Sequence, residues 1–147
     1  MVKLKLFEKM KLVECSNKYW GFVRTLRNDE RVLDGFIEST YITPKMQTKY
    51  MNKYSDCYRI CIIETHVGDT LIKNPVGFVG VIDDDIRICT HPEYQGKGVG
   101  KFMLKKIMEI FPTAYGKVKI DNETSKKLFS SLGFKKKFII FEHDGKN

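Results

Sequence analysis

The sequence of 147 residues lacks two features that would place it in a membrane or in a secretory route. No apolar run approaches the ~18 residues that a membrane-spanning helix needs. Its N-terminal stretch, MVKLKLFEKMKLVEC, interleaves lysine with apolar residues and has neither a continuous apolar core nor a small-residue cleavage site. These absences predict a cytoplasmic protein without a membrane anchor.

Paired cysteines and clustered histidines are also missing. The four cysteines, Cys15, Cys57, Cys61 and Cys89, form no CxxC pair. Cys57 and Cys61 fall in a predicted strand, where four residues span ~13 Å, whereas a disulfide needs Cα atoms within ~7 Å. We therefore expect free thiols in a reducing compartment. The three histidines are scattered, so no metal site is predicted.

Acidic residues are outnumbered, with 18 Asp and Glu against 26 Lys and Arg, which gives a formal net charge of +8. Such an excess favours an anionic partner: nucleic acid, a membrane surface or a small phosphorylated ligand. The basic residues are spread along the chain, and only the stretch KKKF combines a basic run with an aromatic residue. Nucleic acid is therefore not the favoured partner.

The hydrophobic patterns predict one α/β domain over residues 1–147, in which helices alternate with a mixed sheet. Strands are expected from Val2 to Leu6 with a continuation at 12–13, at 57–65, on both sides of a bend at Asn74-Pro75, at 86–90, 117–120 and 134–143. Helices are expected from about residue 17, near 32–37, from Pro44, from Val99 to just before Pro112, and from a cap at Asn122 to Gly133.

The stretch HPEYQGKGVGKF at 91–102 places three glycines at alternate positions, between a predicted strand and a predicted helix. Glycine lets a backbone approach a ligand closely, and a helix N-terminus attracts anions. The loop therefore predicts a phosphate cradle. The Walker pattern fails at Gln95 and Phe102, and the dinucleotide pattern GxGxxG fails at Lys101 or Met103, depending on its start.

The spacing Gln95-x-x-Gly98-x-Gly100 resembles the acetyl-CoA loop of the GNAT acetyltransferase superfamily. A second stretch about 22 residues on, a typical length for an intervening helix and strand, resembles another motif of that superfamily. Its matching residues are Asn122, Ser125, Leu128, Phe129, Gly133 and Phe134. The resemblance covers roughly residues 76–142. It implies a single-domain GNAT-like fold, a mixed twisted sheet flanked by about four helices.

The resemblance also implies a site for acetyl-CoA, without a metal. Backbone groups of the glycine loop would bind the pyrophosphate, and the preceding strand end would pair with the pantetheine arm. Asn122 would bind that arm from the other side. The implied cofactor-binding residues are Cys89, Thr90, His91, Gln95, Gly96, Lys97, Gly98, Val99, Gly100, Lys101, Asn122 and Ser125.

The catalytic residues are less closely implied. Many relatives place a tyrosine acid where this chain has Phe129, and a phenyl ring donates no proton. Tyr115 or a water molecule would replace it. Asp85, in the run 83–85, is the candidate base, acting through water. Structural alternatives stay open for both residues: a half-buried aromatic for Tyr115, and a tight turn for the aspartates.

The N-terminal half resembles, more loosely, a branch that includes acetyltransferases of nucleotide-linked amino sugars. The resemblance rests on Arg27-Asn28 and on Ile42, Gln47 and Tyr50. It implies that Arg27, Asn28 and Tyr50 bind the acceptor, although Arg27 and Asn28 could instead make local contacts, an ion pair and a helix cap.

Three functions stay open. The favoured one is N-acetylation of a small-molecule amine; the others are acetylation of a protein terminus or lysine, and a non-catalytic module that binds CoA or nucleic acid. A homodimer is also left open.

Overall fold

The structure is a computed structural model that describes residues 9–145. Its four strands are β1 (Met10–Glu14), β2 (Tyr58–Val67), β3 (Thr70–Ile82) and β4 (Asp85–Thr90). Its four α-helices are α1 (Trp20–Arg27), α2 (Pro44–Tyr54), α3 (Val99–Ile110) and α4 (Glu123–Ser131). The predicted α/β class with about four helices is confirmed. No described helix is long and apolar enough to cross a membrane.

The strands form one sheet in the order β1-β2-β3-β4, and every neighbouring pair is antiparallel. Two-residue turns join the last three strands. Gly68 has a φ of 63° in the first turn, and Asp83 and Asp84 have φ values of 52° and 65° in the second. Positive φ at both central positions is typical of the turns that suit the twist of a hairpin, and aspartate tolerates it. The turn alternative for these aspartates is thus what the structure shows.

Each face of the sheet carries a separate core, because side chains alternate along a strand. One core packs α1 and α2 against one face, and its buried members include Val23, Leu26, Met51, Tyr58, Ile60 and Phe78. The other core packs α3 and α4 against the opposite face, and its buried members include Val79, Ile86, Val99, Met103, Ile107 and Phe129.

Several helix boundaries lie where the sequence predicts them. The Thr43 hydroxyl accepts the Met46 N–H at 3.1 Å, with Pro44 in the first turn of α2. The Asn122 side chain caps α4. Helix α3 ends at Ile110, two residues before a proline. A side chain or ring that satisfies or removes an unpaired N–H sets these boundaries.

The predicted bend at Asn74-Pro75 is wrong, since both residues lie inside the continuous strand β3. The pairing of β2 with β3 shifts register between Cys61 and Ile62, opposite this point, and β4 pairs with β3 only from Gly77 onward. A proline is tolerated at such an irregularity because no ladder hydrogen bond is required of it there.

The strands predicted at 117–120 and 134–143 are also wrong. Neither range forms a strand; near the first, a single parallel bridge joins Tyr115 to Asp85. A strand requires a neighbour as well as a favourable composition, and neither range is paired in a ladder. The helix expected near 32–37 is a short 3-10 turn at Leu33–Gly35. The strand predicted from Val2 to Leu6 lies outside the described residues.

Candidate active site

The glycine loop lies between the end of β4 and the start of α3. After a 3-10 turn at Pro92–Tyr94, Gly96 has a φ of 79° and Gly98 a φ of 85°. Gly98 caps α3 and gives it no side-chain hydrogen bond. Left-handed backbone of this kind disfavours residues with a Cβ. The two glycines therefore leave the backbone of the loop bare where the helix N–H groups begin.

Gly100 stands in the first turn of α3 for a different reason. A Cβ added there would lie 3.4 Å from both Thr90 Oγ1 and Leu128 Cδ2. The absence of a side chain thus lets α3 approach the end of β4 and helix α4 at once. Val99, beside it, is buried and anchors the helix in the core.

The outer edge of β4 is open beyond its first residues. The Ile86 N–H donates to the Tyr115 carbonyl at 2.9 Å, on the side away from β3, and the His91 N–H donates to Val76 on the side of β3. Because N–H directions alternate along a strand, Ile88 and Thr90 also direct theirs away from β3. An extended ligand could pair with this edge and reach the helix N-terminus with an anionic group.

Two further predicted residues lie at the start of α4: Asn122 caps it and Ser125 is in its first turn. Asn122 Oδ1 accepts the Ser125 N–H at 3.1 Å, so the carbonyl of this side chain serves the helix cap, while its amide group can still donate. Ser125 is joined to Asn122 through its backbone rather than its hydroxyl. Both side chains are half-buried.

The lysines of the loop are exposed. Lys97 Nζ lies 5.6 Å from the centre of the Tyr94 ring, and Asn74 donates to the Tyr94 hydroxyl at 3.0 Å. Lys101 projects from the first turn of α3. Beside them, Gln95 is exposed. A bare left-handed backbone, a helix N-terminus, an open strand edge and flanking lysines fit the pyrophosphate and the amide-bearing arm of coenzyme A.

The model of the family described as Acetyltransferase (GNAT) domain matches residues 56–136, which include β2 to α4 and thus the loop. The chain belongs to the GNAT acetyltransferase family. It is therefore an acyl-CoA-dependent N-acetyltransferase, and acetyl-CoA is its co-substrate. A search of curated protein sequences finds no significant match. Among the described residues, no group of His, Cys, Asp or Glu side chains could hold a metal ion.

Solved structures of GNAT proteins share the fold. Spermidine N-acetyltransferase from Vibrio cholerae, in complex with CoA and spermine, is 20% identical at a TM-score of 0.74, over 89% of this chain and 83% of that one. AAC(6')-Iy, in complex with the bisubstrate analogue CoA-S-monomethyl-acetylneamine, is 15% identical at a TM-score of 0.61; the match covers 92% of this chain and 97% of that one. Ribosomal-protein-alanine N-acetyltransferase from Brucella melitensis is 12% identical at a TM-score of 0.61; the match covers 86% of this chain and 83% of that one.

The face of the sheet that packs against α1 and α2 carries charged and aromatic side chains beside β4. Arg27, at the end of α1, lies over the Phe36 ring, 4.5 Å from its centre. Its Nε is buried and has no hydrogen-bond partner among the described residues. Arg27 and Arg87 both act electrostatically on the Tyr58 hydroxyl, whose pKa is raised chiefly by burial. The two guanidinium groups therefore share one side of the GNAT sheet.

The other predicted acceptor residues have partners within the chain. Asn28 donates to the Ile42 carbonyl and accepts the Ile42 N–H, both at 2.8 Å, and so fixes the chain that leads into α2. Its backbone N–H ends α1 by donating to the Arg24 carbonyl, its side chain caps no helix, and its role toward an acceptor stays a prediction. The Tyr50 and Tyr58 hydroxyls lie 2.7 Å apart. Burial raises the pKa of the Cys89 thiol, on the same face, to about 12.

The predicted catalytic pair lies at the far end of β4. Asp85 accepts from Arg87 at 3.2 Å and lies 3.8 Å from Lys117, and Tyr115 is about half exposed. The six residues from Asp85 to Thr90 span about 17 Å of strand. The structure brings Asp85 and Tyr115 together through their backbone bridge, but not with the glycine loop, and a direct role for either stays a prediction.

Phe129 is a core residue. It is buried, its ring lies edge-on to Phe134 with centres 5.0 Å apart, and it presses on Gly116, where an added Cβ would lie 2.3 Å from the ring. The aromatic position of the second GNAT motif is thus filled here for packing. Sequence reasoning missed Arg87 and Phe36 on the other face of the sheet. The alternation Asp85-x-Arg87-x-Cys89 could have placed Arg87 there.

Proposed function

We propose that this GNAT enzyme transfers the acetyl group of acetyl-CoA directly to the primary amine of a small molecule, and that the favoured acceptor is a nucleotide-linked amino sugar. The observation that carries the acceptor is the buried, unpartnered Nε of Arg27. The glycine loop and the open edge of β4 support the position of acetyl-CoA.

The cofactor would lie along β4 and end at α3. The N–H groups from Gly96 to Lys101 would bind the pyrophosphate, since the first N–H groups of a helix have no intrahelical acceptor. The edge at Ile88 and Thr90 would pair with the pantetheine arm, with the Asn122 amide as a further donor. This arrangement would direct the acetyl group toward the Arg27 side of the sheet.

Arg27 is suited to an anionic acceptor. A buried donor without a partner costs about 1–3 kcal/mol, and a charged one costs more. A diphosphate oxygen would satisfy Nε, and Arg87 adds a second positive charge on that face. The nearby Asp29 does not offset them, because Arg31 donates to its carboxylate at 2.7 and 3.0 Å. Polyamines, which are polycations, would meet repulsion from both guanidinium groups.

The chemistry requires a neutral amine, which attacks the acetyl carbon as the C–S bond to CoA breaks. The amine loses a proton, and the CoA thiolate gains one. The His91 Nδ1 accepts the Glu93 N–H at 3.1 Å, so in the neutral ring the proton lies on Nε2 and neither nitrogen is a ready base. Phe129 donates no proton. We propose that water carries both protons, because Asp85 and Tyr115 lie at the far end of β4 from the glycine loop.

The test measures kcat/KM of two arginine variants with a nucleotide-linked amino sugar and with the free amino sugar. Losing a charge-assisted contact costs about 1.5–3 kcal/mol, so Arg27→Ala should lower kcat/KM for a UDP- or dTDP-linked 4-amino sugar at least ~10-fold. The free amino sugar should be little affected. Arg24→Ala is the matched control, because Arg24 lies on the same helix and donates to the Ile42 carbonyl at 3.0 Å.

Equal losses with both acceptors would mean that Arg27 supports the fold and not the ligand. A wild-type enzyme that ignores amino sugars and acetylates a peptide with an N-terminal amine would replace the proposal by the protein-acceptor alternative. Because the fold is also similar to that of the Brucella melitensis enzyme, a peptide with an N-terminal amine is included among the acceptors to be tested. Spermidine is the third acceptor to test, and rapid turnover of it would contradict the argument from charge.

A further inference from the structure

Four consecutive large apolar residues near the end of the described chain are exposed to solvent. Phe138, Ile139, Ile140 and Phe141 are 90%, 78%, 71% and 91% exposed. In an extended segment, successive side chains point in opposite directions. Exposure of all four therefore means that neither side of the segment packs against the body of the protein.

The same segment has the composition of a strand without a strand partner. Its β-branched and aromatic residues favour extended structure, yet residues 134–144 contain no strand in the structure. An exposed apolar stretch of this kind is a template for pairing with another chain. Proteins that keep such a segment in solution generally cover it or provide it with a partner.

The charges on either side of the segment show which partner fits. Lysines at 135–137 precede the four apolar residues, and Glu142 and Asp144 follow them. In an antiparallel pair of these segments from two copies of the chain, a two-fold axis can pass between Ile139 and Ile140. Phe138 then lies opposite Phe141 of the second copy, Lys137 opposite its Glu142, and Lys135 opposite its Asp144. A parallel, in-register pair would instead place lysine against lysine.

We propose that residues 135–144 pair antiparallel with the same residues of a second copy of this chain, which makes the enzyme a two-fold symmetric dimer. The surface is self-complementary, as an isologous contact requires: each Lys137–Glu142 pair occurs twice. The apolar residues supply cross-strand contacts between aromatic and aliphatic side chains, and the charges fix direction and register. The proposal does not depend on the identity of the acceptor.

The test measures the dimer dissociation constant of the full chain by sedimentation equilibrium. Lys137→Glu and Glu142→Lys each place like charges opposite one another at two points, so either should raise the dissociation constant about 10-fold or more. The double variant Lys137→Glu/Glu142→Lys exchanges the two charges and should restore dimerisation to within about 3-fold of the wild type.

Lys136→Glu is the matched control, since it makes the same change in net charge but lies opposite His143 of the second copy in this register. It should weaken the dimer much less than Lys137→Glu. The altered side chains are exposed, and circular dichroism checks that each variant is folded. A wild type that stays monomeric at ~100 μM, a double variant no better than the single ones, or a control as weak as Lys137→Glu would each overturn the proposal.

Discussion

Replacing Gly98 by alanine separates backbone strain from ligand binding, because Gly133 provides a control with nearly the same conformation. Gly98 has a φ of 85° and Gly133 a φ of 87°. An L-residue in this region costs roughly 1–2 kcal/mol. For a chain of this size, that loss lowers Tm by about 2–8 °C. Both variants should therefore lose similar stability.

Only the change at Gly98 should weaken the binding of acetyl-CoA. Gly133 follows α4, and a Cβ there would meet nothing within 4 Å. At Gly98, a methyl group would stand where we propose that the pyrophosphate approaches the helix N–H groups. Losing one charge-assisted hydrogen bond costs about 1.5–3 kcal/mol, which corresponds to a rise in Kd of about 10- to 150-fold. Gly98→Glu, which adds a negative charge, should abolish binding.

The assay is the rise in Tm with acetyl-CoA concentration, which yields Kd for each variant after correction for its own Tm. The reasoning would be refuted if Gly98→Ala bound acetyl-CoA as tightly as Gly133→Ala did. A shift that is absent even in the wild type at millimolar acetyl-CoA would contradict the family assignment itself.

Three further predictions concern the core and the proton path. Phe129→Tyr should destabilise the fold by about 1–3 kcal/mol in urea without raising kcat, since the Phe129 ring is buried and packed edge-on against Phe134, and an added hydroxyl would enter that packed core; a faster, equally stable variant would contradict this. Burial raises the pKa of the Cys15 thiol to about 11 and of Cys61 to about 12, from 9.0. Above pH 9 the unfolded chain releases these protons while the folded chain keeps them, so stability should fall from pH 9 to 11 by about 1 kcal/mol per thiol and pH unit, and the fall should be shallower in Cys61→Ala. Asp85→Asn should lower kcat less than ~3-fold, about 0.65 kcal/mol in barrier, because Asp85 lies far along β4 from the loop; a loss of 100-fold would support the catalytic role predicted from the sequence.

Local signals in the sequence predicted the features that local chemistry decides. The Asn122 cap and the proline that begins α2 each depend on a few adjacent residues. The glycine loop with its second motif was sufficient to identify the family. These features need no knowledge of the distant parts of the chain.

Features that depend on distant partners were not predictable in the same way. The local pattern at Asn74-Pro75 predicts a bend, but the strand continues because β2 shifts its register opposite that position. The segment 134–143 has the composition of a strand and has no strand beside it. The two hydrogen bonds between Asn28 and Ile42, fourteen residues away, are likewise absent from the local pattern, whereas the role of Asn28 toward an acceptor stays a prediction. None of these partners is encoded in the local pattern.

The arrangement of the turns has a consequence for how the chain folds. Two-residue turns join β2, β3 and β4, so this meander forms through contacts close in sequence, whereas β1 must close a loop of residues 15–57 before it pairs with β2. Closing a loop of that length costs more chain entropy than closing a two-residue turn, and this cost must be met before the non-local contacts form. We therefore expect the meander, which carries the edge proposed for acetyl-CoA, to form before β1 and the arginine-bearing helix α1 dock on it, so that the side proposed for the acceptor folds after the edge proposed for the cofactor.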